Sequence, residues 1–419
     1  MPAFQFVHTA DLHLDSPFQG LSEVVPALQS VLREATFQAF EGIIDLCINR
    51  EVNFLLIAGD IHDASDRSLR ALTRLRHGFE RLAEHHIRVF VCHGNHDPLT
   101  GWSGNFSWPD NVCVFNAKEV EAKPVIVCDV EIARIYGVSY GMEKVTDNLA
   151  LQFQGEPDVP WSIGLLHTNV GNDPNHGNYA PCQLDDLVHA GMNYWALGHV
   201  HTHRILRDRD PLIIYPGNPQ GRHMRETGPR GCYLVEVDSQ GCAYPEFVPV
   251  DVVRWYDEQL TIEGLGGFDE LLGRMDERVH ALRLQNEGRG MIVRWQLEGR
   301  GVLHRELVKP GRLEDLLLTL REKWGMGSQF VWSEAIYDRT GREVDIEALR
   351  QEENLLGDFL RFAEVGDETR LQELRQVIEP LFEDPRVYRH LGEPSDEQLR
   401  EWMQAAQHLG VDRLLAGDE

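Results

Sequence analysis

The sequence contains no run of 18 apolar residues, so no segment reads as a membrane span. No basic segment precedes an apolar one at Met1-Pro2-Ala3-Phe4-Gln5, so the start does not look like a signal peptide. Cysteine is sparse and unpatterned. The seven residues form no Cys-x-x-Cys pair, and Cys47, Cys92, Cys113 and Cys128 lie in apolar stretches, where they read as reduced core thiols. The expected compartment is the cytoplasm. Internal repeats and low-complexity tracts are also missing. Positive charge is short: 40 Lys and Arg against 67 Asp and Glu leave −27, the reverse of the basic face that phosphate binding normally needs. The deficit is uneven, however. Residues 341–419 hold 20 acidic against 9 basic residues, −11 of the total, and carboxylates that hold cations do not repel phosphate once the metal is bound. The charge weakens a nucleic-acid reading without excluding it.

The 419 residues are enough for two or three domains. Up to about residue 250, short apolar runs alternate with helical patterns: Phe54–Ala58, Arg88–Val91, Ser162–Leu166 and Tyr194–Leu197. Such runs suit strands buried on both faces. Helices are expected from Val24 to Arg50 and, capped by Ser65 and Asp66, up to Glu84. The expected fold is a layered α/β domain over residues 1–250. Residues 251–340 read as a small α+β domain, with strands at Val252–Ile262, Met291–Leu297 and Gln329–Ile336 and helices at Phe268–Leu284 and Leu313–Trp324. From about Asp345 the spacing of Leu355, Leu356, Phe359, Leu360 and Phe362 makes 341–419 a helical C-terminal region.

Each suspected strand of the first domain ends in potential metal ligands: Asp11-Leu12-His13, Gly59-Asp60, Gly94-Asn95-His96-Asp97, His167, and Gly198-His199-Val200-His201. In an open α/β sheet the site lies beyond the carboxyl ends of the strands, where such residues converge. Carboxylate, amide and imidazole donors without thiolate suit Mn²⁺, Fe²⁺ or Zn²⁺. The candidates are more than one tetrahedral site needs. With Asp60 as a bridge they divide into Asp11, His13, Asp60 and His201 on one ion and Asp60, Asn95, His167 and His199 on the other. Two ions roughly 3.5–4 Å apart can clamp an in-line displacement at phosphorus. His96 is left to donate to the substrate. Taken singly, each residue is equally a turn or a helix cap; the ordered set is what argues for chemistry. Asp97 reads as a group that orients His96 or caps a turn. His62 and His93 divide between a supporting role and the surface, and His176 is a loop residue.

In that order the motifs resemble the calcineurin-like metallophosphoesterase superfamily. The opening "FVHTADLHLDSP" and "YPGNPQGRHMRETGPRGCYLVEVD" are similar to SbcD-type DNA repair exonucleases, and "LLHTNV" with "NHGNYAPC" resembles their YhaO-like branch. The resemblance implies a metallophosphoesterase sandwich in which His96 stabilises the transition state or protonates the leaving oxygen. It also implies that 251–340 caps the site and helps select DNA. The acidic helical region would engage an SbcC-like coiled-coil ATPase subunit. Expected partners are DNA and that ATPase, with homodimerisation open and no membrane. Expected cofactors are two divalent metal ions, Mn²⁺ first, with Fe²⁺, Zn²⁺ or Mg²⁺ as alternatives.

The expected function is a two-metal phosphodiesterase acting as an exo- or endonuclease on DNA ends in repair. The alternatives are a phosphatase or nucleotide phosphodiesterase of the same superfamily, and a scaffolding or regulatory subunit with weak activity. Arg204, Arg207, Arg209, Arg222, Arg225 and Arg230 follow the last motif. Such a run is either a solvated face or a phosphate-tracking groove.

Overall fold

The computed structural model describes residues 1–21, 26–63, 68–100, 106–171, 177–363, 368–382 and 394–415. Along the chain run β1 (Phe4–Thr9), α1 (Pro26–Asn49), β2 (Phe54–Ala58), α2 (Leu69–Glu84), β3 (Arg88–Cys92), β4 (Val112–Val114), β5 (Glu121–Val127) and β6 (Val130–Gly137). There follow β7 (Ser162–His167), α3 (Leu184–Val188), β8 (Tyr194–Gly198), β9 (Arg204–Asp208), β10 (Leu212–Tyr215), β11 (Gly231–Val237) and β12 (Ala243–Pro249). They form two six-stranded sheets, ordered β12-β11-β1-β2-β3-β4 and β5-β6-β7-β8-β10-β9.

Alternation along the strands explains the layering. Phe54, Leu56 and Ala58 of β2 share a core with Ile163 and Leu165 of β7 and Tyr194 and Ala196 of β8, so that core lies between the sheets. Leu55 and Ile57 point the other way, onto Phe40, Ile43, Ile44 and Cys47 of α1 and Leu72, Leu75 and Phe79 of α2. The α1 residues recur at the three-and-four spacing of one helix face. On the far side, Trp195 and Leu197 of β8 pack with Leu187 of α3. The result is a mixed α/β sandwich, helices outside and two sheets within.

Ser65 and Asp66, the expected cap of α2, lie outside the described residues, as do Val24 and His176. The cap of α2 is Ser68, whose side chain accepts from Ala71 N, an arrangement that stabilises by about 1 kcal/mol. Cys47 and Cys92 are buried as expected, but Cys113 is half-buried and Cys128 exposed. Cys128 and Asp129 take φ of 49° and 62°, the positive pair that a two-residue hairpin turn demands between β5 and β6. The apolar stretch before Cys128 hid that turn.

By its contacts the chain divides into two compact units: Met1–Asp257 with Arg283–Arg294 and Arg321–Glu334, and Glu258–Leu282 with Trp295–Leu320 and Ala335–Glu419. After Pro249 come β13 (Val253–Thr261), α4 (Phe268–Gln285), β14 (Gly290–Glu298), α5 (His304–Leu307), α6 (Arg312–Trp324) and β15 (Val331–Asp338), with the strands ordered β13-β14-β15. The C-terminal helices are α7 (Ile346–Arg350), α8 (Leu355–Phe362), α9 (Glu368–Phe382) and α10 (Asp396–Leu415). Within the second unit Leu356 and Leu360 of α8 are buried with Val411 of α10, and Phe359 packs against them. Leu355 and Phe362 are exposed. Arg300 joins α10 to the same unit, donating to His408 O at 3.2 Å and Asp412 Oδ2 at 2.6 Å. No helix among the described residues is long and apolar enough to cross a membrane.

Candidate metal centre

β1, β2 and β3 are parallel neighbours in one sheet, and β7 and β8 are parallel neighbours in the other. Their carboxyl ends therefore lead into loops at one place. The first two loops are tied by backbone bonds: Asp11 N donates to Gly59 O, His13 N to Asp60 O and Leu14 N to Ile61 O, each at 3.0 Å. These turns are sharp. Asp11, His13, Asp60 and His199 have φ of 52°, 42°, 51° and 106°, left-handed conformations that non-glycine residues adopt at a cost of order 1–3 kcal/mol and that cluster at functional sites.

Asp11, His13 and His201 form one group whose ligand atoms all lie within 4.8 Å of one another, and Asp11, Asp60 and His167 form a second. His13 Nδ1 donates to Asp63 Oδ1 at 3.1 Å, and His201 Nδ1 donates to Glu226 Oε1 at 2.6 Å. Each bond leaves the lone pair on Nε2, and the two Nε2 atoms face each other at 3.3 Å. Asp60 Oδ2 is 4.0 Å from His13 Nε2 and 3.4 Å from His167 Nε2. His167 Nδ1 donates to Ala58 O at 2.9 Å, which turns its Nε2 toward Asn95 Oδ1 at 3.1 Å. Lone pairs and carboxylate oxygens thus converge on common space. Such a set repels itself unless protons or cations lie between its members, and the backing carboxylates are the partners that metal-bound imidazoles use. The donor set fits divalent cations.

The ring of His199 lies 5.2 Å from that of His167, and its Nε2 donates to Gly177 O at 2.7 Å, which leaves the lone pair on Nδ1. Its backbone N–H donates to both oxygens of Asp11, at 3.1 and 3.2 Å. His96 stands at the rim, its side chain 48% exposed, with Nδ1 2.6 Å from Asp63 Oδ1. Its backbone N–H donates to Asp60 Oδ1 at 2.8 Å.

The protonation balance follows from this crowding. Burial pushes the Asp11 carboxyl up to about 6, against the pull of His201 and His167. Burial also acts to raise Asp60, but the adjacent His167 outweighs it and holds Asp60 well below the usual carboxylate range. Burial and the neighbouring Arg222 charge lower His13 to about 4. Burial works to lower His167 and His96 as well, yet Asp60 carries His167 up to about 9, and Asp63 with Asp60 carries His96 up to about 9.

Two carboxylates, Asp63 and Glu226, escaped the sequence reading as parts of the site. Asp63 accepts from His13, His96 and Ser16 Oγ. Glu226, some distance beyond the last motif, holds His201 and also accepts from Arg222 N at 2.6 Å. Asp97, expected to orient His96 or cap a turn, does the second: it accepts from Asp60 N, Ile61 N and Gly94 N at 3.2, 3.0 and 2.7 Å. Asp63 could have been noticed three residues after Asp60; Glu226 carried no spacing signal. His62 and His93 are both buried, His93 against Asp97 with Nδ1 2.7 Å from its carbonyl. His8 belongs to β1 and its Nδ1 pairs with Tyr194 OH at 2.9 Å. The arginine run does not form one solvated face, since Arg222 and Arg230 are buried.

Glycine permits the close approach of these loops. A Cβ at Gly94 would lie 2.3 Å from Asp60 Oδ1, and one at Gly59, whose φ is +88°, would lie 2.4 Å from His167 Nδ1. Any side chain there would enter the centre.

Residues 4–203 match the family model for calcineurin-like phosphoesterases, and residues 255–341 match that for the middle domain of metallophosphoesterase YhaO. The chain is 35% identical over 402 residues to the uncharacterized metallophosphoesterase YhaO of Bacillus subtilis, covering 96% of each chain. It is 25% identical over 303 residues to the DNA double-strand break repair protein Mre11 of Archaeoglobus fulgidus, covering 65% of this chain and 66% of that one. Among solved structures, a dimetal phosphatase from Danio rerio is similar with a TM-score of 0.33 and 12% identity, over 57% of this chain and 94% of that chain.

Proposed function

The chain belongs to the calcineurin-like metallophosphoesterases, metal-dependent hydrolases of phosphoesters, and from that premise we propose that it is a two-cation phosphodiesterase that cuts DNA at its ends in repair. The observation that carries the reading is the approach of His13 Nε2 and His167 Nε2 to Asp60, with His201 Nε2 facing His13, beside an exposed His96 held by Asp63. Asp11, His13, Asp60 and His201 would hold one ion, and Asp60, Asn95, His167 and His199 the other. Mn²⁺ is the first choice for this oxygen and imidazole set. When bound, such a pair neutralises phosphoryl oxygens and supplies a nucleophile at neutral pH.

The chain's own residues do the rest. Asp63 and Glu226 fix the tautomers of His13 and His201, so that Nε2 carries the lone pair on each. Asp63 also keeps His96 protonated near neutrality, and His96 delivers that proton to the leaving oxygen. DNA as the substrate is supported by the similarity to Mre11 proteins. The exposed Leu355 and Phe362 and the acidic helical region suit an SbcC-like coiled-coil ATPase partner, and the seven free cysteines suit the cytoplasm.

The test uses protein stripped with EDTA and reloaded with Mn²⁺, Mg²⁺ or Zn²⁺, assayed on end-labelled single- and double-stranded DNA beside p-nitrophenyl phosphate. Metal-dependent shortening of DNA is the expected result. Turnover of the monoester alone would make the protein a phosphatase, and no turnover at full metal occupancy would make it a scaffold.

A further inference from the structure

Arg222 carries its charge inside the protein, with 8% of the residue exposed. A buried guanidinium is ordinarily met by a carboxylate or by carbonyl oxygens. The neighbouring buried arginines follow that rule. Arg254 lies bidentate on Asp251, with both bonds at 2.7 Å, and Arg230 donates to His201 O, Asn218 Oδ1 and Thr227 O. Arg222 does not. Its Nη1 is 3.7 Å from Asp63 Oδ2, beyond hydrogen-bonding distance, and the Asp63 oxygens already accept from His13, His96 and Ser16. The Arg222 Nε is buried and has no hydrogen-bond partner among the described residues, as is also true of Arg230 Nε, so the contrast between the two lies in the terminal nitrogens.

The backbone explains why the side chain stands there. Arg222 N donates to Glu226 Oε2, the carboxylate that also holds His201, and Arg222 O accepts from Gln19 N at 2.9 Å. The main chain at 222 is thus pinned both to the wall of the centre and to the loop that follows β1. Its guanidinium is held beside Asp63 and near His13, with donors unused among the described residues. A tetrahedral oxyanion placed between His96 and the cation ligands would satisfy them.

We propose that Arg222 binds the phosphoryl group of the substrate, donating its guanidinium N–H groups to a non-bridging oxygen of the phosphodiester that His96 protonates. The proposal rests on the phosphodiesterase reading and adds to it the residue that holds the reacting phosphate. A planar fork matches phosphate oxygens in a way that a lysine ammonium does not. It also places positive charge where negative charge grows during the displacement.

The experiment compares wild type, Arg222→Met and Arg222→Lys, each loaded with Mn²⁺. It measures metal content, calorimetric affinity for inorganic phosphate, and hydrolysis of bis(p-nitrophenyl) phosphate. Arg222→Met is expected to keep both ions, to bind phosphate at least about tenfold more weakly, and to lose about 10²-fold in kcat/KM, the scale for one oxyanion donor. Arg222→Lys should recover part of the phosphate affinity, and added guanidinium should partly rescue Arg222→Met. Unchanged phosphate affinity in Arg222→Met overturns the proposal. So does loss of manganese in step with activity in both variants, which would make Arg222 a prop of the metal centre. A wild type that binds both ions but leaves the diester intact removes the phosphodiesterase reading instead, and the phosphate titration still decides the role of Arg222.

Discussion

Asp63 accepts from His13 at 3.1 Å and from His96 at 2.6 Å, so one charge governs two imidazoles with different tasks. Burial alone would lower His96, and it is Asp63 and Asp60 that lift it to about 9. In Asp63→Asn the His96 value should fall, and with it the alkaline limb of the kcat/KM profile should move to lower pH. A limb that stays in place would assign the transferred proton to another group. His96→Ala should keep both ions and lower turnover by about 10²–10⁴-fold, whereas Asn95→Ala should weaken one ion, as metal analysis of the two variants would reveal. His167 gives a separate pH signature. In the metal-free protein its folded value of about 9 lies above the ordinary histidine value of 6.5. Its stabilising contribution is then full below pH 6.5 and lost as the pH climbs through 9. The melting temperature of EDTA-treated protein should carry that decline. Loading Mn²⁺ at pH 7 should release protons, seen as a dependence of the binding heat on the buffer's ionisation enthalpy.

At the scale of elements, the strands were legible because buried runs such as Phe54–Ala58 and Tyr194–Gly198 end abruptly in Gly-Asp and Gly-His. The ligand set was legible for the same reason, since strand ends are where parallel sheets gather side chains. Asp63 and Glu226 were not, because their roles are to accept hydrogen bonds from groups brought near only by folding. Cys128 was misread because a hairpin turn followed an apolar strand without the usual glycine. Gly94 tests how closely the loops after β2 and β3 must approach. A methyl group there meets Asp60 Oδ1 at 2.3 Å and His167 Cε1 at 2.8 Å. Gly94→Ala should therefore lose metal and about 1–3 kcal/mol of stability, the usual range for overpacking, measured by metal content and denaturant unfolding. Normal metal content in that variant would show that the loops can part without harm.

At the scale of the molecule, the C-terminal helices combine a private core with an exposed face. Leu356, Leu360 and Val411 are buried together while Leu355 and Phe362 face outward, so the region is neither wholly core nor wholly docking surface. Removal of residues 345–419 takes away that core and the Asp412 partner of Arg300. Each buried leucine stabilises by about 1.5–3 kcal/mol. The truncated protein should retain its metal content, because every ligand lies in Met1–Asp257, while its second unit melts at lower temperature, resolved by calorimetry. Loss of metal on truncation would contradict this independence.

The pairing of β1 with β11 also sets a timetable for synthesis. β1 lies between β2 and β11, and its antiparallel partner ends at Val237. At roughly 5–20 residues per second, ribosomes reach that strand about 10–50 s after making β1. Throughout that interval one edge of β1 has no neighbour, a template for pairing with other chains. Asp11 and His13 likewise emerge long before His199, His201 and Glu226, which complete their surroundings. A nascent chain paused before Gly231 therefore carries every ligand of the metal centre on a sheet whose β1 edge is still open. How long that edge stays open is set by the order of synthesis, not by the stability of the finished protein.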